Sequence, residues 1–168
     1  VGAVHLVGGS LGALLIGLWG TSGTGGSDGL FYGGNLKLLT EIRRRIFLAF
    51  ETAERESDPA KLDALLTFAI VGGGPTGVEL AGALGEIAHD TLTHDFRNID
   101  PTKTRIHLFE GGERILPTYA AEPCVQAATG LNPPGVSVHE KAIVSEITPE
   151  AVTIKRGESV ERIACRTV

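Results

Sequence analysis

The sequence predicts an α/β fold with a parallel sheet, and three observations carry that prediction. The apolar run Phe68-Ala69-Ile70-Val71 leads directly into Gly72-x-Gly74-x-x-Gly77, after which Val78, Ala81, Leu84, Ala88 and Leu92 keep helical spacing. That order is strand, glycine turn, helix, the context a GxGxxG needs to be meaningful. A second strand, Arg105 to Phe109, ends on an acidic residue, Glu110. The last third of the chain alternates apolar and polar residues in short runs divided by turn residues. Together they describe a Rossmann-like NAD(H)-binding domain, βαβαβ plus a β-meander.

The elements follow in chain order. Val1 to Trp19 is apolar and glycine-rich, with no Lys or Arg ahead of the apolar run, so it is not a standard secretory signal. Its glycines also weaken a membrane-helix reading. Val4 to Gly12 imitates a dinucleotide turn, but Ser10 and Ala13 stand where the second and third glycines belong. Gly20 to Gly34 reads as linker. Residues 1–35 are therefore expected to be an apolar segment and linker, and 36–168 the organised domain.

Leu39, Ile42, Ile46, Phe50 and Ala53 recur at three- and four-residue spacing, with charged residues filling the other face. This predicts an amphipathic lead-in helix of about 18 residues. Asp58-Pro59 supplies an N-cap and a first-turn proline for a short helix, Ala60 to Leu66. Phe68 to Val71 suits a parallel strand buried on both faces.

Each residue of the glycine turn has a stated job. Gly72 permits the tight turn, and Gly74 lets backbone approach a pyrophosphate. Gly77 lets the helix pack closely. Pro75 fits the first helical turn, where a missing N–H costs nothing. The helix N-terminus offers N–H groups and partial positive charge to phosphates. Glu79 suits the helix dipole but would repel a pyrophosphate. It therefore points to the nicotinamide end, or into a hydrogen bond, or is simply a helix-end carboxylate.

The polar loop Asp95 to Thr104 separates that helix from the strand Arg105–Phe109. Glu110, at the strand end, is placed to accept hydrogen bonds from an adenosine ribose, favouring NAD over NADP. Gly111 and Gly112 open the following turn, and Arg114 either touches adenosine or faces water. Tyr119 to Leu131 has the length of a crossover helix, stopped by Asn132-Pro133-Pro134. Gly135 to His139 reads as a third strand. Ala142 to Ile147, Ala151 to Arg156 and Val160 to Ala164 form the meander.

Composition bounds function. The chain has 168 residues, 42% hydrophobic and 21% charged, which fits one globular domain. Fifteen Lys and Arg against twenty Asp and Glu give a net charge of −5, which excludes a general nucleic-acid binder with a basic face. Twenty-three glycines and no Met fit a piece of a larger enzyme. Cys124 and Cys165 form no CxxC and read as free thiols in a reducing compartment. His5, His89, His94, His107 and His139 show neither an i,i+4 pair nor a shared cluster, so no metal site is expected.

Three stretches carry a family resemblance: Phe68 to Leu84, Asp95 to Pro101, and Glu110-Gly111-Gly112-Glu113-Arg114-Ile115-Leu116-Pro117. They resemble type II NADH dehydrogenases, the non-proton-pumping NADH:quinone oxidoreductases among the FAD- and NAD-dependent pyridine nucleotide oxidoreductases. The resemblance implies hydride transfer from NADH to FAD and then reduction of a quinone. By matching position it assigns Gly72, Gly74, Pro75, Thr76 and Gly77 to the pyrophosphate, Glu110 to the ribose, and Glu79 to the nicotinamide and flavin. Gly73, Gly111 and Arg114 stand beside them as further cofactor-binding candidates. It further implies an FAD domain largely outside this chain, a cytoplasmic and peripheral inner-membrane location, and allows a homodimer. A nucleotide-binding module without chemistry of its own, and another flavin-dependent pyridine-nucleotide oxidoreductase, are the alternative readings. The absence of CxxC speaks against the disulfide-reducing branch within this stretch.

Overall fold

The computed structural model describes residues 36–116 and 135–168, with side chains from residue 40 onward. The expectations for residues 1–35, for Tyr119 to Leu131 and for Cys124 lie outside the described residues. The elements are α1 (Leu36–Ala53), α2 (Pro59–Leu65), β1 (Thr67–Val71), α3 (Pro75–Glu86), β2 (Arg105–Phe109), β3 (Val136–His139), β4 (Ile143–Ile147), β5 (Ala151–Arg156) and β6 (Ser159–Ala164). The predicted elements in these stretches are all present, with ends moved by one or two residues. A π-helical turn, Ile87–Thr91, prolongs α3, and a 3-10 turn, Pro101–Lys103, precedes β2.

β1, β2 and β3 pair in parallel in that spatial order, with Phe68 opposite Ile106 and Ile106 opposite Val136. β4, β5 and β6 form a separate antiparallel meander. Period-two alternation sends side chains to opposite faces of the parallel sheet. Phe68, Ile70, Ile106, Leu108 and Val136 pack with the helices, against Ile46, Phe50, Ala53, Ala81 and Leu84. Ala69 and Phe109 on the other face pack with the meander, against Ala142, Val152, Ile154 and Cys165. A sheet covered on both sides explains the unbroken apolar run Phe68 to Val71 of β1. Cys165 is a free, buried thiol, and burial pushes its pKa up, as expected of a structural rather than reactive cysteine.

α1 is tied in twice. Phe50 is fully buried and its ring lies 5.6 Å from that of Phe68 and 5.9 Å from that of Phe96. One turn further on, the Glu54 carboxylate accepts the backbone N–H groups of Arg97, Asn98 and Ile99. Desolvation opposes ionisation there, but these three donors outweigh it and hold the carboxyl below its usual range. The lead-in helix thus fixes the polar loop that delivers β2.

The chain's last residues pair with β1 on the side away from β2. Thr167 bridges Phe68 in parallel, and its carbonyl accepts the Ala69 N–H at 2.9 Å. β1 is therefore flanked on both sides, and its carboxyl end lies at the point where strand order reverses, the usual binding crevice of such sheets.

One expectation is corrected: the histidines do not all stand apart. His107 on β2 and His139 on β3 meet across the parallel register, Nδ1 to Nε2 at 2.8 Å, stacked with Phe109. Arg156 on β5 bonds Nδ1 of His139. A guanidinium only donates, so His139 Nδ1 is an acceptor. His139 Nε2 then carries the proton and donates to His107 Nδ1. Among the described residues no three metal-ligating side chains converge.

That chain has a pH consequence. Burial, His107 and Arg156 push His139 down from 6.5 to about 4, and burial and Arg105 lower His107. As pH falls below 6.5 the unfolded chain takes up protons that the folded chain refuses, so folding stability drops. The paired carboxylates lose their contribution only nearer pH 4, which leaves pH 6.5 to 5 to the histidines. Melting curves should show His139→Asn with a flatter pH dependence than the parent across that window. An equal slope would remove His139 from the explanation.

Candidate nucleotide-binding site

The site is built where three strands end together. Gly72 leaves β1 with φ +106, a left-handed conformation that a side chain strains, and its N–H is held by the Phe109 carbonyl at 2.8 Å. Gly74 caps α3 in extended conformation, with Pro75 in the first turn. The Val78 N–H closes back on the Gly74 carbonyl at 3.0 Å. The helix's earlier first-turn donors, Thr76 and Gly77, have no i−4 partner within the helix and belong to the end that favours an anion.

The glycines divide by what surrounds them. A Cβ on Gly77 would lie 1.9 Å from the Gly72 carbonyl oxygen and 3.4 Å from Leu108, so only hydrogen fits there. A Cβ on Gly72 or Gly74 would meet nothing within 4 Å. Gly77 is therefore internal packing. Gly74 borders open space of the kind a pyrophosphate fills. Gly73 is a third case: its missing Cβ would meet Ile115 at 2.8 Å and the Glu110 side chain at 2.9 Å.

Glu110 does more than end β2. Its Oε2 accepts the Gly73 N–H at 2.8 Å and its Oε1 accepts the Gly112 N–H at 2.6 Å. The carboxylate joins the turn after β1 to the turn after β2. Each oxygen keeps a second acceptor position, so a ribose hydroxyl can still be received. The Leu116 N–H returns to the Gly73 carbonyl at 2.7 Å, closing residues 110–116 over the glycine turn. Gly111 is exposed, and a Cβ there would meet only Ile143, at an ordinary 3.6 Å; Arg114 is half-buried in the same loop.

Glu79 lies one turn inside α3, half-buried, and burial pushes its carboxyl up. Its position beyond the first turn takes it out of the donor ring that would face phosphate. The structure thus brings Gly72 to Gly77 together with Glu110, Gly111 and Arg114 at one strand edge, and sets Glu79 farther along the helix. Sequence reasoning passed over Glu140, just after β3. Its Oε1 accepts the Ile115 N–H at 3.2 Å. An acidic residue at a third strand end was the signal.

The family described as pyridine nucleotide-disulphide oxidoreductase matches residues 35–168. The type II NADH:quinone oxidoreductase Ndh of Mycobacterium tuberculosis is 43% identical over 129 residues, 75% of this chain and 28% of that protein. The same organism's type II NADH:quinone oxidoreductase NdhA is 38% identical over 122 residues, 73% of this chain and 26% of that protein. The chain spans about a quarter of the length of these relatives. Among solved structures, NDH2 from Plasmodium falciparum in complex with NADH superposes with a TM-score of 0.73 at 18% identity, over 79% of this chain and 27% of that one, which bears on the fold.

Proposed function

The chain belongs to the pyridine nucleotide-disulphide oxidoreductase family, and from that membership we propose that it is the NADH-binding portion of an FAD-dependent NADH:quinone oxidoreductase. The observation that carries this reading is the cradle at β1. Gly77 has no room for a side chain while Gly74, three residues away, borders open space at a helix N-terminus. The similarity to the type II NADH:quinone oxidoreductases supports the same reading.

In this proposal Gly72 to Gly77 hold the pyrophosphate by backbone N–H groups. The remaining acceptor positions of Glu110 take the adenosine ribose, with Gly111 and Arg114 beside it. Glu79, kept from easy ionisation by burial, faces the nicotinamide end, where a fixed anion near the phosphates is avoided. FAD, when bound, supplies the redox chemistry, accepting hydride and delivering two electrons to quinone. A peripheral position on the inner face of the membrane goes with this reading. No helix among the described residues is long and apolar enough to cross a membrane.

Glu110 sets the test. A 2′-phosphate would meet a carboxylate already fixed by two N–H donors, so it cannot swing aside. Calorimetry on the full chain should find NADH bound at least tenfold tighter than NADPH, the scale of one uncompensated charge. Equal affinities, or none for either, would remove the reading.

A further inference from the structure

We propose that Glu140 is a positioning residue for the adenosine half of the nucleotide, acting through the backbone N–H of Ile115. The inference rests on the nucleotide-binding reading above and assigns a role to a residue outside the glycine turn and the β2 terminus.

Three strand-end turns are hydrogen-bonded in series. The β1 turn joins the β2 turn through Glu110 and through Leu116 N–H to Gly73. The β2 turn joins the β3 turn through main-chain bonds: Glu110 N–H to His139 O at 2.8 Å, Ala142 N–H to Glu110 O at 2.9 Å, and Lys141 N–H to Gly112 O at 2.9 Å. These bonds stop at Gly112. Beyond it the loop carries Arg114 and Ile115, and there the Glu140 carboxylate reaches across to the Ile115 N–H.

The consequence runs through Ile115. Its side chain is 1% exposed and comes within 2.8 Å of where a Cβ on Gly73 would be, so Ile115 bears directly on the glycine turn. Glu140 thereby holds the floor of the cradle and the Arg114 backbone in one arrangement. Lys141 makes the turn possible by adopting φ 54, and its Nζ pairs with Glu113 at 2.9 Å. That pair is exposed on both sides and adds little. The buried end of Glu140's bond is what positions the loop.

The experiment uses the full chain and ADP-ribose, which contains the adenosine half without the nicotinamide. Glu140→Ala should bind ADP-ribose about fivefold more weakly, the worth of one hydrogen bond, with the melting temperature of the free chain lowered by only about 2–4 °C. Glu140→Gln keeps an acceptor oxygen and should restore parental affinity. Parental affinity in Glu140→Ala would overturn the inference, as would Gln no better than Ala. A melting temperature lowered by more than about 4 °C in both variants would assign Glu140 to the fold and overturn it too. Failure of the parent chain to bind ADP-ribose would instead overturn the nucleotide-binding reading itself.

Discussion

Gly77→Ala is expected to destabilise the chain by about 3 kcal/mol, the upper end of overpacking costs. The methyl group would sit 1.9 Å from the Gly72 carbonyl oxygen. No rotamer can relieve the clash, because both partners are backbone-fixed: Gly72 by its φ of +106 and its bond to Phe109, Gly77 by the helix. Either α3 moves off β1 or the turn opens, and both dismantle the cradle. In thermal unfolding this is roughly a 10 °C loss, since about 1 kcal/mol corresponds to 2–4 °C at this chain length. Gly74→Ala is the matched contrast. Its Cβ meets nothing within 4 Å and its φ of −73 is ordinary, so stability should change by less than about 0.5 kcal/mol. NADH affinity should nevertheless fall, because the methyl occupies the space proposed for pyrophosphate. A Gly77→Ala protein as stable as its parent would contradict the packing described.

The contrast also marks what a sequence discloses. GxGxxG treats its glycines as one motif, and spacing was enough to find the strand, turn and helix, because periods of apolar residues report directly on which face is buried. The same held for α1, whose apolar stripe at Ile46, Phe50 and Ala53 is the buried one. The motif already reads Gly77 as the close-packed position, as the structure has it; what spacing does not reveal is its partner, the Gly72 carbonyl oxygen, a backbone atom. The His107–His139 pair was hidden for a related reason. The two residues are far apart in sequence and meet only through the parallel register that sets His139 beside Phe109. Glu54 reads as a charge on the polar face of α1, and Glu140 is passed over, because their partners are backbone N–H groups of distant loops, which no pattern of side chains records.

Glu110 was legible as an acidic strand end, and its ribose role alone would make Glu110→Ala a binding mutant of about 1–2 kcal/mol. The structure enlarges that expectation. Removing the carboxylate leaves the N–H groups of Gly73 and Gly112 without their acceptor and unlinks the two turns. Hydrogen bonds to a charged group are worth more than neutral ones, and this pair is only half-buried. Glu110→Ala should therefore cost about 2 kcal/mol of stability and weaken NADH binding more than tenfold. Glu110→Gln separates the two roles. A glutamine can still bond a ribose hydroxyl, but its NH₂ group must face one of the two N–H donors that the carboxylate accepts. If ribose contact were the whole role, the glutamine variant would bind NADH nearly as well as the parent and melt at the same temperature. If the carboxylate clamps the turns, the glutamine variant loses both affinity and stability, and resembles alanine. The second outcome is the expected one, measured by calorimetry with NADH and by thermal unfolding of the free chain. The free-chain measurement is decisive, because a ribose contact cannot stabilise a protein that has no nucleotide bound.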